Sequence, residues 1–449
     1  MREGGNRSRA TTRSASVTDA RIAAAEVLGD LRQGEFLDAS FDRRVAALDP
    51  RDRRFTRELV YGMLRRRSLL DGLFQDRVRG GLGRLDDEVL DLLRLGAYQM
   101  LYMRSVPAYA AIGQTVELVK QRHGVGAARL ANAVLRRLDR EGEVHPGEVP
   151  ADPIDALAMA ESHPRWLVAR WVARWGEADT RLLLQANNTE PPLVARPVHA
   201  VREQVEAMLE AAGVDVADAP LVPDSIALDN VGSLTALGAF TQGLMHLQDP
   251  ASTLVTRYAA FPEGAVVADV CAAPGGKAVE LSRSASLVLA SDSSYSRLRK
   301  VRENIERMDL PTLLPYVADA RKPALRRVDA MLIDAPCTGT GTFRRHPDAR
   351  WRLKLSDLAV MPAIQREILR SAASVVAPGG LLVYSTCSLE TEENDAQVER
   401  FLSEQPEWAL EPPPEGAVPS TVLDAGRLRV LPQRHGVDGA FAARLRRRA

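Results

Sequence analysis

Three side chains in this sequence stand out for the chemistry they could carry: the thiols Cys271, Cys337 and Cys387, the only cysteines among 449 residues. Each follows a short apolar run. Ala265–Ala268 leads into Asp269-Val270-Cys271, Met331–Ile333 into Asp334-Ala335-Pro336-Cys337, and Leu381–Val383 into Tyr384-Ser385-Thr386-Cys387. A run of that length closed by Pro336, Gly339 and Gly341 reads as a buried strand emptying into a loop. Ligands of an open α/β sheet bind beyond the carboxyl ends of its strands. The three thiols are therefore expected along one edge of a parallel sheet, with Asp334 and Cys337 at the rim of a pocket. The competing reading of that stretch is a surface loop with an ordinary acid and a buried thiol.

An odd number of cysteines without a secretory signal argues against a disulfide framework and for a reducing cytoplasm. No Cys-x-x-Cys pair exists and the 7 histidines are not set at ligand spacing, so zinc is a weaker alternative and no metal is expected. Thiol–disulfide exchange needs its cysteines close in a reactive motif, and these are far apart in the chain. Hydrophobic content of 45% and charged content of 26% are ordinary for a globular protein, and the length allows two or three domains. No run approaches the roughly 18 uncharged apolar residues of a membrane span. Net charge is zero, but residues 1–70 hold 15 Arg against 10 acids, and residues 427–449 hold 7 Arg against Asp438 alone. Basic ends suit a phosphate-bearing partner or a solvated tail equally well.

The elements that must position these groups follow from periodicity. Residues 1–16 carry no apolar pattern and read as a disordered leader. From Val17 to about residue 145 the pattern is helical, with Gly34 as a stop and further helices over Asp52–Arg67, Asp86–Tyr102, Pro107–Arg122 and Ala127–Leu138. Arg43, Arg44, Arg53, Arg54 and Arg65–Arg67 there are either RNA phosphate contacts or a solvated helix face. Residues 141–153, rich in Pro, Gly and acid, read as a linker. A middle module over 154–250 begins helically, with Trp171 and Trp175 four apart as on a buried face, although Trp beside Arg can also stack on bases. Strands at Pro191–Pro197 and Ile226–Leu228 flank a helix at Val201–Ala212, and Asp249 or Ser252 caps a helix that Pro250 starts. From 251 to 449, strands and helices alternate as in a doubly wound parallel sheet.

The first turn of that domain, Cys271-Ala272-Ala273-Pro274-Gly275-Gly276-Lys277, has small residues that let a ligand approach backbone N–H groups at a helix start. Asp292, ending the next strand, is placed to bind ribose hydroxyls, and Asp319 to accept from an adenine amino group. Either could instead be a turn or cap residue. Together they predict a nucleoside ligand.

Asp269-Val270 with that turn, Asp334-Ala-Pro-Cys-Thr-Gly-Thr-Gly341, Tyr384-Ser-Thr-Cys-Ser388 and Glu392-Glu-Asn394 resemble the S-adenosylmethionine-dependent RNA cytosine-5 methyltransferases. The helical front is similar to the NusB-like domain of the RsmB (Sun/Fmu) branch, which acts on small-subunit ribosomal RNA. Further matches are Phe343-Arg-Arg-His-Pro-Asp348 with Trp351, and Asp438-Gly-Ala-Phe-Ala-Ala-Arg444. Ala278 and Thr338 depart from the residues most common in that family, and neither removes a catalytic group. The resemblance implies an all-α front domain, a small α+β module and a Rossmann-like class I methyltransferase domain, acting as a cytoplasmic monomer. It implies S-adenosylmethionine held by Cys271, Ala272, Ala273, Pro274, Gly275, Gly276, Lys277, Asp292, Asp319 and Asp334. It makes Cys387 the nucleophile that adds to cytosine C6 and Cys337 the thiol that assists product release. Asp334 would bond N3 and the exocyclic amine, best as a protonated or proton-sharing carboxyl, and Lys277 would tune Asp334 or a thiol. Arg344, Arg345 and His346 are expected to hold the RNA backbone. The same chemistry on transfer RNA, and a non-catalytic RNA-binding assembly factor, are the alternatives.

Overall fold

The computed structural model describes residues 17–142 and 150–449; the expected leader and most of the expected linker lie outside the described residues. The chain divides into two compact units, Met1–Arg165 and Trp166–Ala449.

The first unit is helical, with helices Asp19–Arg32, Leu37–Arg44, Pro50–Arg65, Arg67–Phe74, Asp87–Tyr102, Ala108–Glu141 and Pro153–Ala160. Local chemistry sets several of their ends. The Asp49 carboxylate accepts from the Asp52 N–H with Pro50 in the first turn, and Asp86 caps the next long helix through Glu88 N–H. The two helices expected from Pro107 and Ala127 are one element broken at Gly124, where a φ of 81° interrupts the hydrogen-bond ladder. Most of the arginines considered for phosphate contact are used internally. Arg43 and Arg44 each lie 2.8 Å from the carboxylate of Asp30, which their hydrogen bonds, Arg44 first, hold well below its usual pKa. Arg53 donates to the Val45 carbonyl, Arg65 is buried, and Arg66 lies over the ring of Tyr102, whereas Arg54 is exposed.

The second unit opens with the helix running to Asn188 and then builds a small sheet of four antiparallel strands: β1 (Leu193–Pro197), β2 (Asp215–Asp218), β3 (Ile226–Asp229) and β4 (Met245–Leu247), in the order β2-β3-β1-β4. Val205 and Leu209 of the helix Arg202–Ala211 pack on Ala195, Ile226, Leu228 and Met245. The β2 and β4 strands are too short to show a period in the sequence. Arg196, buried in β1, pairs with Asp224 at 2.6 Å and with Glu280 of the following domain.

The larger sheet has a parallel centre: β5 (Val266–Asp269), β6 (Leu287–Asp292), β7 (Leu313–Val317), β8 (Val328–Asp334) and β9 (Val376–Thr386), in the order β9-β8-β5-β6-β7. Its strands are apolar throughout because both faces are covered. Ala330 and Leu332 of β8 point into one apolar layer with Val267 and Val383, while Met331 and Ile333 point into the other with Ala268, Leu382 and Tyr384. The sheet is not purely parallel as expected. β10 (Trp408–Leu410), β11 (Leu423–Asp424), β12 (Arg427–Val430) and β13 (Ala440–Arg447) extend it, with β13 antiparallel to β9. The basic carboxyl end is thereby consumed: Arg427 and Arg429 pair with Asp395, and Arg444 and Arg446 with Glu411. It is a set of ion-paired sheet strands and not a solvated tail.

Among the described residues no helix is long and apolar enough to cross a membrane. Since Leu332 is fully buried at the centre of the sheet, Leu332→Ala should lower the stability of this unit by about 3 kcal/mol, read as a lower midpoint in urea. An unchanged midpoint would mean that this layer is not close-packed.

Candidate active site

Parallel pairing of β8 with β9 places Asp334 opposite Ser385. Neighbouring strands lie about 4.8 Å apart, so the loops leaving them carry Cys337 and Cys387 side by side, with sulfurs 3.2 Å apart. Cys271, at the end of β5, does not join them: its side chain packs against the apolar layer, and burial pushes its pKa well up. Two of the three thiols thus form a pair and the third stands apart from them. The neighbouring Cys387 sulfur, and then burial, push the Cys337 thiol well above its ordinary value.

Lys277 reaches across the strand ends. Its ammonium donates to Asp334 Oδ2 at 2.8 Å and lies 3.5 Å from Ser252 Oγ, while Ser385 Oγ donates to Asp334 Oδ1 at 2.9 Å. Burial opposes the Lys277 charge, but Asp334, and beyond it Cys387 and Asp269, raise its pKa above the usual value, so it remains a cation. The carboxyl that burial pushes up, to about 7, is Asp269, with the nearby Asp334 adding to the shift. Asp334 itself sits in an ion pair with Lys277.

The turn Cys271–Lys277 opens the helix Gly276–Leu281 through Gly275, whose φ of 107° only glycine adopts without strain. Ala272 and Ala273 are buried beneath it, and Ala273 accepts from Arg297 through its carbonyl at 2.7 Å. Asp292, ending β6, accepts from Ser294 N–H at 2.9 Å and lies 3.4 Å from Arg297. Asp319, beyond β7, takes a two-pronged hold from Arg321, with its closest oxygen at 2.7 Å. Two buried polar atoms beside the turn lack a partner among the described residues: Asp269 Oδ2 and Gln248 Nε2, the latter 3.2 Å from where a Cβ on Gly276 would sit. Backbone donors, two strand-end carboxylates and unsatisfied polar atoms on one edge fit a nucleoside bearing an amino-acid tail.

Gly341, in the loop after β8, is needed for close packing. A Cβ on Gly341 would lie 2.7 Å from both the Cys387 carbonyl oxygen and Gly439 Cα, so its bareness packs backbone on backbone. Gly341 N–H donates to the Cys387 carbonyl at 2.9 Å, which joins the two thiol loops directly. Arg344 and Arg345 are likewise internal. Arg345 bridges Asp438 and Asp249 at 2.8 and 2.5 Å, Arg344 donates to the Gly436 carbonyl at 2.6 Å, and neither is free to hold a backbone phosphate. His346 is partly buried beside them. Trp171 is fully buried, as its spacing predicts, and its indole N–H donates to Glu390 at 3.0 Å; Arg170 pairs with Glu390 and Glu392. That helix therefore braces the loop following Cys387.

A Rossmann-like methyltransferase domain behind a ferredoxin-like module and a helical unit is the class these features define. The crystal structure of PH0851 superposes with a TM-score of 0.78 over 96% of this chain and all of that one, at 26% identity. A methyltransferase homolog protein from Pyrococcus horikoshii shares the fold over 66% of this chain, at 24% identity and a TM-score of 0.56. The family described as 16S rRNA methyltransferase RsmB/F matches residues 259–446, the NusB family 18–140, and the RsmF/B-like ferredoxin-like domain 163–235. The chain is 34% identical to a probable ribosomal RNA small subunit methyltransferase B of Synechocystis, covering 95% of this chain and 99% of the relative. It is 33% identical to the ribosomal RNA small subunit methyltransferase B of Vibrio cholerae, over 95% and 97%. It belongs to the ribosomal RNA small subunit methyltransferase B family and is a methyltransferase.

Two outcomes check the site. Asp269, with a folded pKa of about 7 against the ordinary carboxyl value of 3.8, binds an extra proton in the folded state between those values. Its contribution to stability is greatest in acid and is lost as pH rises through 7. Asp269→Asn should therefore lose less stability than the parent between about pH 5 and about pH 8, measured by urea denaturation; equal losses would contradict the assignment. Diamide treatment of the native protein should link Cys337 to Cys387 and spare Cys271, read by peptide mass mapping without reductant. A Cys271 disulfide would overturn the pairing.

Proposed function

We propose that this protein transfers a methyl group from S-adenosylmethionine to C5 of a cytosine in small-subunit ribosomal RNA, through a covalent adduct on Cys387. The observation that carries the reading is the pair of thiols at 3.2 Å, flanked by the Lys277–Asp334 ion pair, on the carboxyl edge of a methyltransferase sheet. S-adenosylmethionine, when bound, supplies an electrophilic methyl group on a sulfonium. Cys271–Lys277, Asp292, Asp319 and Asp334 would hold it through the donors and carboxylates described above.

Cytosine C5 is a poor nucleophile until a thiolate adds at C6 and the ring electrons are released toward C5. Two features favour Cys387 for that attack. The Lys277 cation lies within electrostatic reach of it. Cys337, whose pKa is driven up, stays a thiol. It then assists the final step, in which water takes the C5 proton, the C5–H electron pair re-forms the C5–C6 double bond, and the Cys387–C6 bond breaks with its pair leaving on the Cys387 sulfur, which the Cys337 thiol 3.2 Å away protonates. Asp334, held from both sides by Lys277 and Ser385, would meet the base's exocyclic amine and share a proton with N3, which offsets the charge that builds there during attack. The base must be turned out of its stack to reach this edge. Whole-length similarity to proteins named for small-subunit ribosomal RNA, including a NusB match at residues 18–140, supports that substrate over another RNA.

Incubation with unmethylated small-subunit RNA and methyl-labelled S-adenosylmethionine should place the label on C5 of a cytosine, located by nuclease digestion and mass spectrometry. Label on transfer RNA alone would retain the chemistry and discard the substrate. Cys387→Ser should abolish turnover, while Cys337→Ser should leave protein linked to RNA, seen as a shifted band on a denaturing gel. If neither variant is trapped, the assigned division between the thiols is wrong.

A further inference from the structure

Glu393 is fully buried and belongs to no step of the chemistry proposed above, yet it sits at the junction of both thiol loops. Its Oε1 accepts from the Thr338 N–H and from Gln365 Nε2, each at 2.9 Å. Its Oε2 accepts from the hydroxyls of Thr338 and Ser388. Thr338 directly follows Cys337, and Ser388 directly follows Cys387. One carboxylate therefore ties together the residues next to the two sulfurs. Burial raises its pKa, and the four hydrogen bonds work in the opposite sense. Burying a carboxyl group is costly unless its oxygens are satisfied, and here every donor comes from a segment that frames the thiols. Gln365 adds a second tie by donating to the Pro336 carbonyl at 2.9 Å, immediately before Cys337.

The two loops do not depend on Glu393 equally. The Cys387 loop has other anchors. Thr386 Oγ1 donates to Asn394 at 2.6 Å, Asn394 donates to the Ser388 carbonyl at 2.8 Å, Leu389 N–H donates to Thr340 Oγ1 at 2.8 Å, and Glu390 is held by Arg170 and Trp171. Next to Cys337 itself the loop leans on Glu393 and Gln365; its further ties lie three and four residues on, where Thr340 Oγ1 accepts from Leu389 N–H and Gly341 bonds the Cys387 carbonyl and Gly439 N–H. Loosening Glu393 should therefore displace Cys337 more than Cys387.

We infer that Glu393 is a positioning residue that sets the Cys337 thiol against the Cys387 adduct and so controls product release. The inference rests on the proposed covalent mechanism. Misplacement by a fraction of an ångström costs on the order of tenfold in rate. Glu393→Gln keeps the shape and one acceptor oxygen but turns an NH2 toward two hydroxyls that now donate to Oε2. Gln365→Leu removes the tie to Pro336 and one donor to Glu393.

The test compares the intact wild-type protein with both variants on small-subunit RNA. It measures kcat, KM for S-adenosylmethionine and the fraction of protein in the RNA-linked band on a denaturing gel, with Cys337→Ser as the reference for full trapping. Glu393→Gln should lower kcat about tenfold, leave KM for the methyl donor unchanged and strengthen the RNA-linked band, with Gln365→Leu giving a weaker form of the same pattern. A general structural role predicts loss of kcat and of the band together. That pattern, or an unchanged kcat, overturns the inference. If Glu393→Gln does not yield folded protein, Gln365→Leu decides by the same criteria. Failure of the underlying mechanism is separable: Cys337→Ser would then show no RNA-linked band, and the inference falls with it.

Discussion

The distance between two sulfurs from residues 50 apart in sequence is set by one parallel strand pairing. β8 and β9 run together from Val328 opposite Val376 to Asp334 opposite Ser385, with a shift in register between Val328 and Ala330. A slip by one residue would turn each buried side chain to the opposite face. It would move Leu332 and Val383 out of one apolar layer and Met331, Ile333, Leu382 and Tyr384 out of the other. The cost of such a slip locks the register, and the register brings the loops after the two strands together. The hydrophobic layers on either side of the sheet are thus what hold the thiol pair in place.

Polar chemistry then works inside that frame. Lys277, Asp334 and Ser385 span three strand ends in one chain of hydrogen bonds. Glu393 and Gln365 span the loops beyond them. Both sets are substantially buried, where an unpaired donor or acceptor is costly. The Asp249–Arg345–Asp438 bridge and the Arg170–Glu390 pair serve the same end from further out, joining the cap of the helix Pro250–Ala259 and the helix ending at Asn188 to the loops that follow the thiols. Many arginines that could have met RNA instead hold the protein's own carboxylates. A basic count along a sequence says little about a free basic surface when acids are equally numerous, 59 against 59.

Short-range signals were legible in the sequence. Three apolar runs each ending in a thiol identified strands β5, β8 and β9, because strands covered on both faces must be apolar throughout. Asp249, one of the two caps the sequence offers for the helix that Pro250 starts, is the one used. Trp171 at four-residue spacing from Trp175 is buried as that period implies. Cys271, Cys337, Cys387, Asp334 and Lys277 could all be picked out by type and motif.

Relative placement and partnership belonged to the tertiary structure. Nothing local tells that Cys271 stays in the apolar layer while Cys337 and Cys387 meet, since that depends on strand order across the sheet. The antiparallel β13 beside β9 and the ion pairs of Arg427, Arg429, Arg444 and Arg446 close over acids from other elements, so the end of the chain read as a basic tail. Glu393 lay within a recognisable motif, but its role appears only when Thr338, Ser388 and Gln365, from three separate elements, converge on its two oxygens. The sequence by itself determined which residues could do chemistry and which segments are strands or helices, because those follow from side-chain type and local period. Which of them touch was decided only by the packed sheet, because long-range pairing is a property of burial shared between distant segments.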